Sequence, residues 1–198
     1  TIEEENNDKI LFLSEKDPDR LPWKDMEIDV VIESTGLFTK KEDAEKHIYA
    51  GAKHVVISAP TKSKDTPTVL HGVNSLEGKT LIFSCASCTT NNIGPVLEII
   101  DRRIGIKKAI LNTIHAYTSS QSLIDAPSKR DFRAGRSAAV NLVPTSTGAA
   151  IAATKILPQL EGKFDGISIR TPVPVGSISD ITVVTGRNTS AKEVNEIL

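Results

Sequence analysis

Apolar residues come in short unbroken runs over the first third of the chain and alternate with polar ones over the last third. Lys9 to Pro18 (K-I-L-F-L-S-E-K-D-P) reads as a strand entered from a polar turn at Asn6-Asn7-Asp8. Ile28 to Ser34 (I-D-V-V-I-E-S) and Lys53 to Pro60 (K-H-V-V-I-S-A-P) are runs of the kind found in strands buried on both faces. Between them Thr39-Lys40-Lys41-Glu42 has the spacing of a capping box, predicting a helix to about Ala50-Gly51. Strand, helix and strand in such close succession form a βαβ unit, which demands a parallel sheet. Thr80 to Ser84 (T-L-I-F-S) predicts a third strand.

Ile93, Val96, Leu97 and Ile100 then fall on one helical face, so a helix is expected to run to Arg103. Pro95 requires an early position in it, which places the helix start close to Cys88. Beyond Gly105 the pattern changes. I-K-K-A-I-L-N-T-I-H-A-Y is strand-like, Ser119 to Ser137 is a polar, basic loop, and Gly148 to Ile156 is a helix of small residues. Two alternating strands follow, F-D-G-I-S-I-R-T-P and S-I-S-D-I-T-V-V-T, and Ser190-Ala191-Lys192-Glu193 opens a last helix. The expected architecture is an α/β Rossmann-like partial domain over residues 1–87, then an α+β catalytic domain with a mainly antiparallel sheet over residues 88–198.

Composition adds mainly exclusions. With 39% hydrophobic and 25% charged residues, the chain is an ordinary globular sequence rather than a disordered one. A net charge of −1 gives no general attraction to nucleic acid or membrane, and no apolar run approaches the about 18 residues of a spanning helix. Two cysteines make no disulfide framework, so a reducing, cytoplasmic setting is expected.

Those two cysteines carry the chemistry. They lie in S-C-A-S-C-T-T-N-N at Ser84 to Asn92. A zinc half-site would need further ligands, whereas there is no third cysteine and the four histidines are scattered, so no metal is expected. A thioredoxin-like C-x-x-C would stand after a strand and at a helix start, as this pair does. Two buried structural residues are a third reading. In a fourth, Cys88 is a lone nucleophile, favoured by free N–H groups and the positive end of a helix dipole that can also hold an oxyanion. Such a nucleophile needs a base. His115, at the exit of an apolar strand, is the natural candidate, while His47, His54 and His71 have no comparable setting.

Resemblance discriminates between these readings. S-C-T-T-N (Ser87 to Asn91), H-A-Y-T (His115 to Thr118), G-R-S-A-A (Gly135 to Ala139), S-T-G-A-A (Ser146 to Ala150) and R-T-P-V-P (Arg170 to Pro174) occur in this order. With E-S-T-G-L-F-T and V-V-I-S-A-P upstream, they resemble the phosphorylating glyceraldehyde-3-phosphate dehydrogenase family over essentially the whole chain. The resemblance implies an NAD-dependent cytoplasmic enzyme of glycolysis, a homotetramer needing neither membrane nor nucleic acid. Its substrates are glyceraldehyde 3-phosphate and inorganic phosphate, and Cys88 is the nucleophile with His115 as base. By the same resemblance Ser87, Arg136, Thr147 and Gly148 bind the attacking phosphate, and Thr118 and Arg170 the substrate's own phosphate. Thr89 joins this set, and Thr35, Gly36 and Ser58 belong to the cofactor cleft. Arginine suits both anion sites because its fork binds oxyanions bidentately. Lys129, Arg130 and Arg133 enrich the loop's positive field.

Three departures qualify the resemblance. The family's glycine-rich turn and ribose-binding acid have no counterpart here, nor does its terminal helix, so the chain reads as an excerpt. These 198 residues alone are expected to be inactive and to bind NAD weakly, and NADP stays open as the cofactor. Cys85 stands where the family usually has Asn, and is expected to be able to trap an oxidised Cys88 as a disulfide. Ser120 stands where some members have an acid. The rival readings are an erythrose-4-phosphate dehydrogenase, whose loop after the histidine differs from H-A-Y-T-S-S-Q, and a non-catalytic binding protein on the same fold.

Overall fold

The computed structural model describes residues 2–3, 9–128 and 131–198, so Asn6-Asn7-Asp8, Lys129 and Arg130 lie outside the described residues. The chain divides into two compact units. One comprises residues 1–67 and 78–84, the other residues 68–77 and 85–198.

The first unit holds a two-residue antiparallel pairing of β1 (Ile2–Glu3) with β2 (Lys9–Ile10) and a parallel sheet. That sheet is ordered β3 (Val30–Glu33), β4 (His54–Ile57), β5 (Ile82–Ser84), with helix α1 (Lys41–Tyr49) in the crossover between β3 and β4. The βαβ expectation therefore holds, but two details change. The long first strand stops at Ile10, and Leu11 and Phe12 are exposed, so this apolar run enters no core. Burial along β3 and β4 alternates instead of being continuous: Val31, Val55 and Ile57 are buried with Ala44, Ala52 and Ile82, whereas Val30 and Ile32 are exposed. One face of the sheet carries the core.

The expected capping box at Thr39 also fails. Lys40 occupies the cap position without a side-chain cap bond, Ser63 Oγ accepts from Lys41 N at 2.9 Å, and the Thr39 hydroxyl is buried without a partner among the described residues. A loop residue distant in sequence has taken the role that local spacing assigned to Thr39.

Polar groups inside this unit are joined in a chain. Glu33 and His47 are both buried. The Trp23 indole N–H donates to His47 Nδ1 at 3.0 Å, and His47 Nε2 lies 3.0 Å from Glu33 Oε2. An indole can only donate, so Nδ1 is the bare nitrogen and Nε2 carries the hydrogen that Glu33 accepts. The other carboxylate oxygen accepts from both the Thr35 N–H, at 2.8 Å, and the Thr35 hydroxyl.

In the second unit helix α2 (Cys88–Arg103) packs with α3 (Ala149–Ile156) against a four-stranded sheet. The strand order is β7 (Val143–Ser146), β8 (Phe164–Thr171), β6 (Ile106–Ala116), β9 (Ser177–Thr185). β7–β8 and β6–β9 are antiparallel, while the central β6–β8 pair is parallel and strand β7 was not anticipated. Ile93, Leu97, Ile100, Leu111, Ala153, Leu160 and Phe164 form the core. Pro95 sits well inside α2 rather than in its first turn, where it forgoes one ladder bond. The preceding Gly94 lets Leu70 close in, since a Cβ there would stand 2.5 Å from Leu70 Cδ1. The last helix, α4 (Ala191–Ile197), starts where the second capping pattern placed it, with Ser190 Oγ accepting from Glu193 N at 3.2 Å. Among the described residues no helix is long and apolar enough to cross a membrane.

Candidate active site

Alternation along β6 determines what faces the helices. Ala109, Leu111 and Thr113 are buried at every second position, and the next residue in that series is His115. On the parallel neighbour β8, Arg170 stands directly opposite His115, and on β9 the opposite residue is Ser177. Cys88 is the first residue of α2, whose cap is Ser87: its Oγ accepts from Thr90 N at 3.2 Å and lies 2.8 Å from Thr90 Oγ1. Asn91 Nδ2 donates to Cys85 O at 2.7 Å and Ser87 O at 2.9 Å, tying the approach segment to the first helical turn. Before it Ala86 has a φ of 62°, a left-handed conformation that costs an L-residue about 1–2 kcal/mol.

These elements bring four predicted residues together. Cys88 Sγ lies 3.5 Å from His115 Nε2, with Thr89 Oγ1 at 4.0 Å from the sulfur. Arg170 Nη1 lies 2.9 Å from His115 Nδ1 and 3.0 Å from Ala116 O, and Nδ1 is 2.8 Å from that same carbonyl. Arg170 is half-buried and has no carboxylate partner among the described residues. Burial lowers its pKa, with the charge of Cys88 acting in the opposite direction. A cavity of about 710 Å³ opens beside it, lined by Ser119, Ser120, Gln121, Ser122, Thr145 and Ser146 among others. Cys85 and Cys88 are both free thiols, the first half-buried and the second exposed.

Other predicted residues are not drawn into this contact. Arg136 is exposed and pairs with Asp125 at 3.1 Å. Thr118 is exposed and its hydroxyl meets Ser120 Oγ at 2.9 Å. Thr147 Oγ1 accepts from Ala149 N at 3.1 Å, and Gly148 caps α3. Gln121 entered the sequence reading only as the end of the H-A-Y-T-S-S-Q loop: both its amide atoms are buried at the cavity wall without a partner among the described residues. Only its place three residues past Thr118 could have drawn notice. Asn91 lay inside a recognised motif, but its bonds depend on the helix start.

In the first unit Thr35, Gly36 and Ser58 all lie at the carboxyl edge of the parallel strands and are exposed. Leu37 N donates to Thr35 Oγ1 at 3.1 Å, and Ser58 N donates to Glu33 O at 2.9 Å. Gly36 has a φ of +74°, and no atom comes within 4 Å of where a Cβ would be. Parallel sheets take ligands outside their carboxyl ends, the edge on which these three residues stand. No cluster of three or more His, Cys, Asp or Glu could hold a metal ion among the described residues.

A thiol on a helix N-terminus, within reach of an imidazole and beside a guanidinium with no carboxylate partner among the described residues, defines a class: proteins equipped for covalent thiol chemistry on an anionic substrate. The family follows from comparison. Residues 87–198 match the C-terminal domain of glyceraldehyde 3-phosphate dehydrogenase, and residues 2–41 match its NAD binding domain. Similar proteins include glyceraldehyde-3-phosphate dehydrogenase 2 of Streptomyces avermitilis, 50% identical over 94% of this chain and 56% of its own. The glyceraldehyde-3-phosphate dehydrogenase of Clostridium pasteurianum is 46% identical over 96% of this chain and 58% of its own. A chloroplastic glyceraldehyde-3-phosphate dehydrogenase A of Scenedesmus vacuolatus is 47% identical over 96% and 61% respectively. The chain belongs to the glyceraldehyde-3-phosphate dehydrogenase family and spans somewhat more than half the length of these relatives.

Proposed function

We propose that the protein oxidises glyceraldehyde 3-phosphate and phosphorylates it to 1,3-bisphosphoglycerate, with Cys88 as nucleophile and His115 as its base. The observation that carries this reading is the 3.5 Å approach of Cys88 Sγ to His115 Nε2 at the start of α2. The thiol's proton passes to Nε2 as sulfur attacks the aldehyde carbon, giving a hemithioacetal whose oxyanion faces first-turn N–H groups of α2. Thr35, Gly36 and Ser58 would hold NAD, which would supply the acceptor for the hydride that leaves this carbon. Oxidation leaves a thioester on Cys88. Inorganic phosphate attacks it, and the departing sulfur recovers its proton from His115.

Arg170 and Thr118 hold the substrate's own phosphate. Ser87, Thr89, Arg136, Thr147 and Gly148 hold the attacking one, which requires Arg136 to exchange its exposed pairing with Asp125 for the phosphate. Such a pairing contributes at most about 1 kcal/mol, so the exchange is inexpensive. The protein works in the cytoplasm as a homotetramer. The outward face of the second unit's sheet, with Ile110, Ile167, Ile178 and Val184 exposed, supports assembly.

The test is an acylation assay. The whole protein, rather than these 198 residues alone, incubated with glyceraldehyde 3-phosphate and NAD and without phosphate, should gain a phosphoglyceroyl group on Cys88 and release an equal amount of NADH. The Cys88→Ser variant should do neither. NADH formation by that variant at the wild-type rate, or a failure of the wild-type sulfur to be acylated, would refute the reading.

A further inference from the structure

The inner face of β3 carries Val31 and Glu33, and Glu33, at 3% exposure, is the more deeply buried of the two. A carboxylate is costly at such a position, where an apolar side chain would continue the core. It pairs with no Lys or Arg among the described residues. Donors surround it instead. Oε2 faces the Nε2 hydrogen of His47, and Oε1 faces both the N–H and the hydroxyl of Thr35. Only a carboxylate accepts at both ends, since the amide of the same shape has a single oxygen. The side chain is built to hold its neighbours, and the neighbour it holds outside the core is Thr35.

Resting on the reading of Thr35 and Gly36 as cofactor residues, we propose that Glu33 is a positioning residue for NAD: acting through Thr35, it fixes the turn after β3 and aims the Thr35 hydroxyl. A hydroxyl has one hydrogen and two lone pairs. The hydrogen goes to Glu33, and one lone pair takes the Leu37 N–H at 3.1 Å. The second lone pair remains, on an exposed residue, to accept a hydrogen from the cofactor. NAD carries such hydrogens on its hydroxyl and amino groups. Without the carboxylate the hydroxyl is free to rotate, and the turn through Gly36, at a φ of +74°, loses the bond that holds its start.

The far side of the turn is held from the same place. The rings of His47 and Phe38 meet edge to face, 89° apart with centroids separated by 6.4 Å. One imidazole therefore braces Phe38 directly and Thr35 through Glu33. Trp23 holds that imidazole in turn: its indole N–H occupies Nδ1 at 3.0 Å and so keeps the Nε2 hydrogen on Glu33. The residue that touches cofactor is Thr35, and the three behind it determine how Thr35 is presented.

The test is calorimetric titration of NAD into the whole protein, with urea unfolding of each variant in the absence of NAD. Thr35→Val should weaken NAD binding about tenfold, the effect of one hydrogen bond, while Thr35→Ser, which keeps the hydroxyl, should retain most of the affinity. Glu33→Gln should weaken binding several-fold, because one amide oxygen cannot serve Thr35 and His47 together. Glu33→Asp, one methylene too short to reach both, should do the same, so the outcome does not hang on whether the amide variant folds. Trp23→Phe leaves Glu33 joined to Thr35 and should bind NAD nearly as wild type does. In Trp23→Phe/Glu33→Gln the imidazole can take its other tautomer and accept from the amide, whose oxygen then returns to Thr35, and NAD affinity should recover. A role in stability alone cannot give that recovery, since the double variant has lost the indole as well. If Thr35→Val binds NAD as wild type does, the cofactor reading of this edge fails and the proposal with it. If Thr35→Val binds weakly but both Glu33 variants bind as wild type, or if Trp23→Phe brings no recovery to Glu33→Gln, the positioning role is refuted while Thr35 can still border the cofactor.

Discussion

Trp23 and Glu33 share no described hydrogen bond, yet replacing them should have non-additive effects, because His47 passes a directional constraint between them. The indole N–H holds Nδ1 bare, which forces a hydrogen onto Nε2, 3.0 Å from Glu33 Oε2. In Glu33→Gln the side chain has one oxygen for three donors. If that oxygen stays with the Thr35 N–H and hydroxyl, the new NH2 group confronts the Nε2 hydrogen. Removing one buried partner and opposing two donors costs about 2–3 kcal/mol. In a Trp23→Phe background the imidazole is free to take the other tautomer and accept from the introduced amide, so the same change should cost only about 1 kcal/mol. The coupling energy is then about 1–2 kcal/mol, well above the roughly 0.5 kcal/mol expected of independent sites. Urea unfolding of wild type, both single variants and the double variant, followed by circular dichroism, measures it. Trp23 is the chain's one tryptophan, so indole fluorescence gives a second probe where it is retained. Additivity within error would refute the assigned tautomer and with it the directional chain.

Three further outcomes are expected. Ser87→Ala should cost about 1 kcal/mol in unfolding experiments, since its Oγ caps α2 at Thr90 N, and should slow iodoacetamide labelling of Cys88 more than that of Cys85. Gly36→Ala should cost about 1 kcal/mol from its positive φ alone, because the space a Cβ would occupy is open; a several-fold larger loss of stability would contradict that. Glu193 has its pKa lowered to about 2, first by its bonds to Arg187 and then by Thr189. A depressed folded value means its contribution is present above the unfolded pKa near 4.5 and is lost as pH falls toward 2. The melting-temperature gap between wild type and Glu193→Gln should therefore close across that window, and a gap that widened with acid would reverse the argument.

How legible the chain was depends on how far each residue's partner lies along it. Strands β6, β8 and β9 and helices α3 and α4 could be placed from periodicity, since alternation and capping are local. Long-range partners defeated the rest. Ser63 caps α1 in place of Thr39, and Pro95 is tolerated deep in α2. The runs around Val30 and Ile32 suggested strands buried twice over, but a run of β-branched residues reports strand propensity, not how many faces are covered. Nor could periodicity foresee that β8 would lie parallel to β6, because the pattern along a strand is blind to its neighbour's direction.

The direction of β8 matters more than any boundary. Because β6 and β8 run the same way, their carboxyl ends lie side by side, and the register pairs His115 with Arg170 near both ends. An antiparallel neighbour would bring the start of β8, near Phe164, to that position instead. Motif order named both residues, but only the parallel pairing makes them adjacent, with Arg170 Nη1 2.9 Å from Nδ1 while Nε2 faces Cys88. The imidazole is thus held between a sulfur on a helix start and a guanidinium on a sheet, each addressing a different nitrogen. A change at either nitrogen must therefore be felt at the other, which makes the thiol's reactivity a property of the sheet's topology as much as of the cysteine itself.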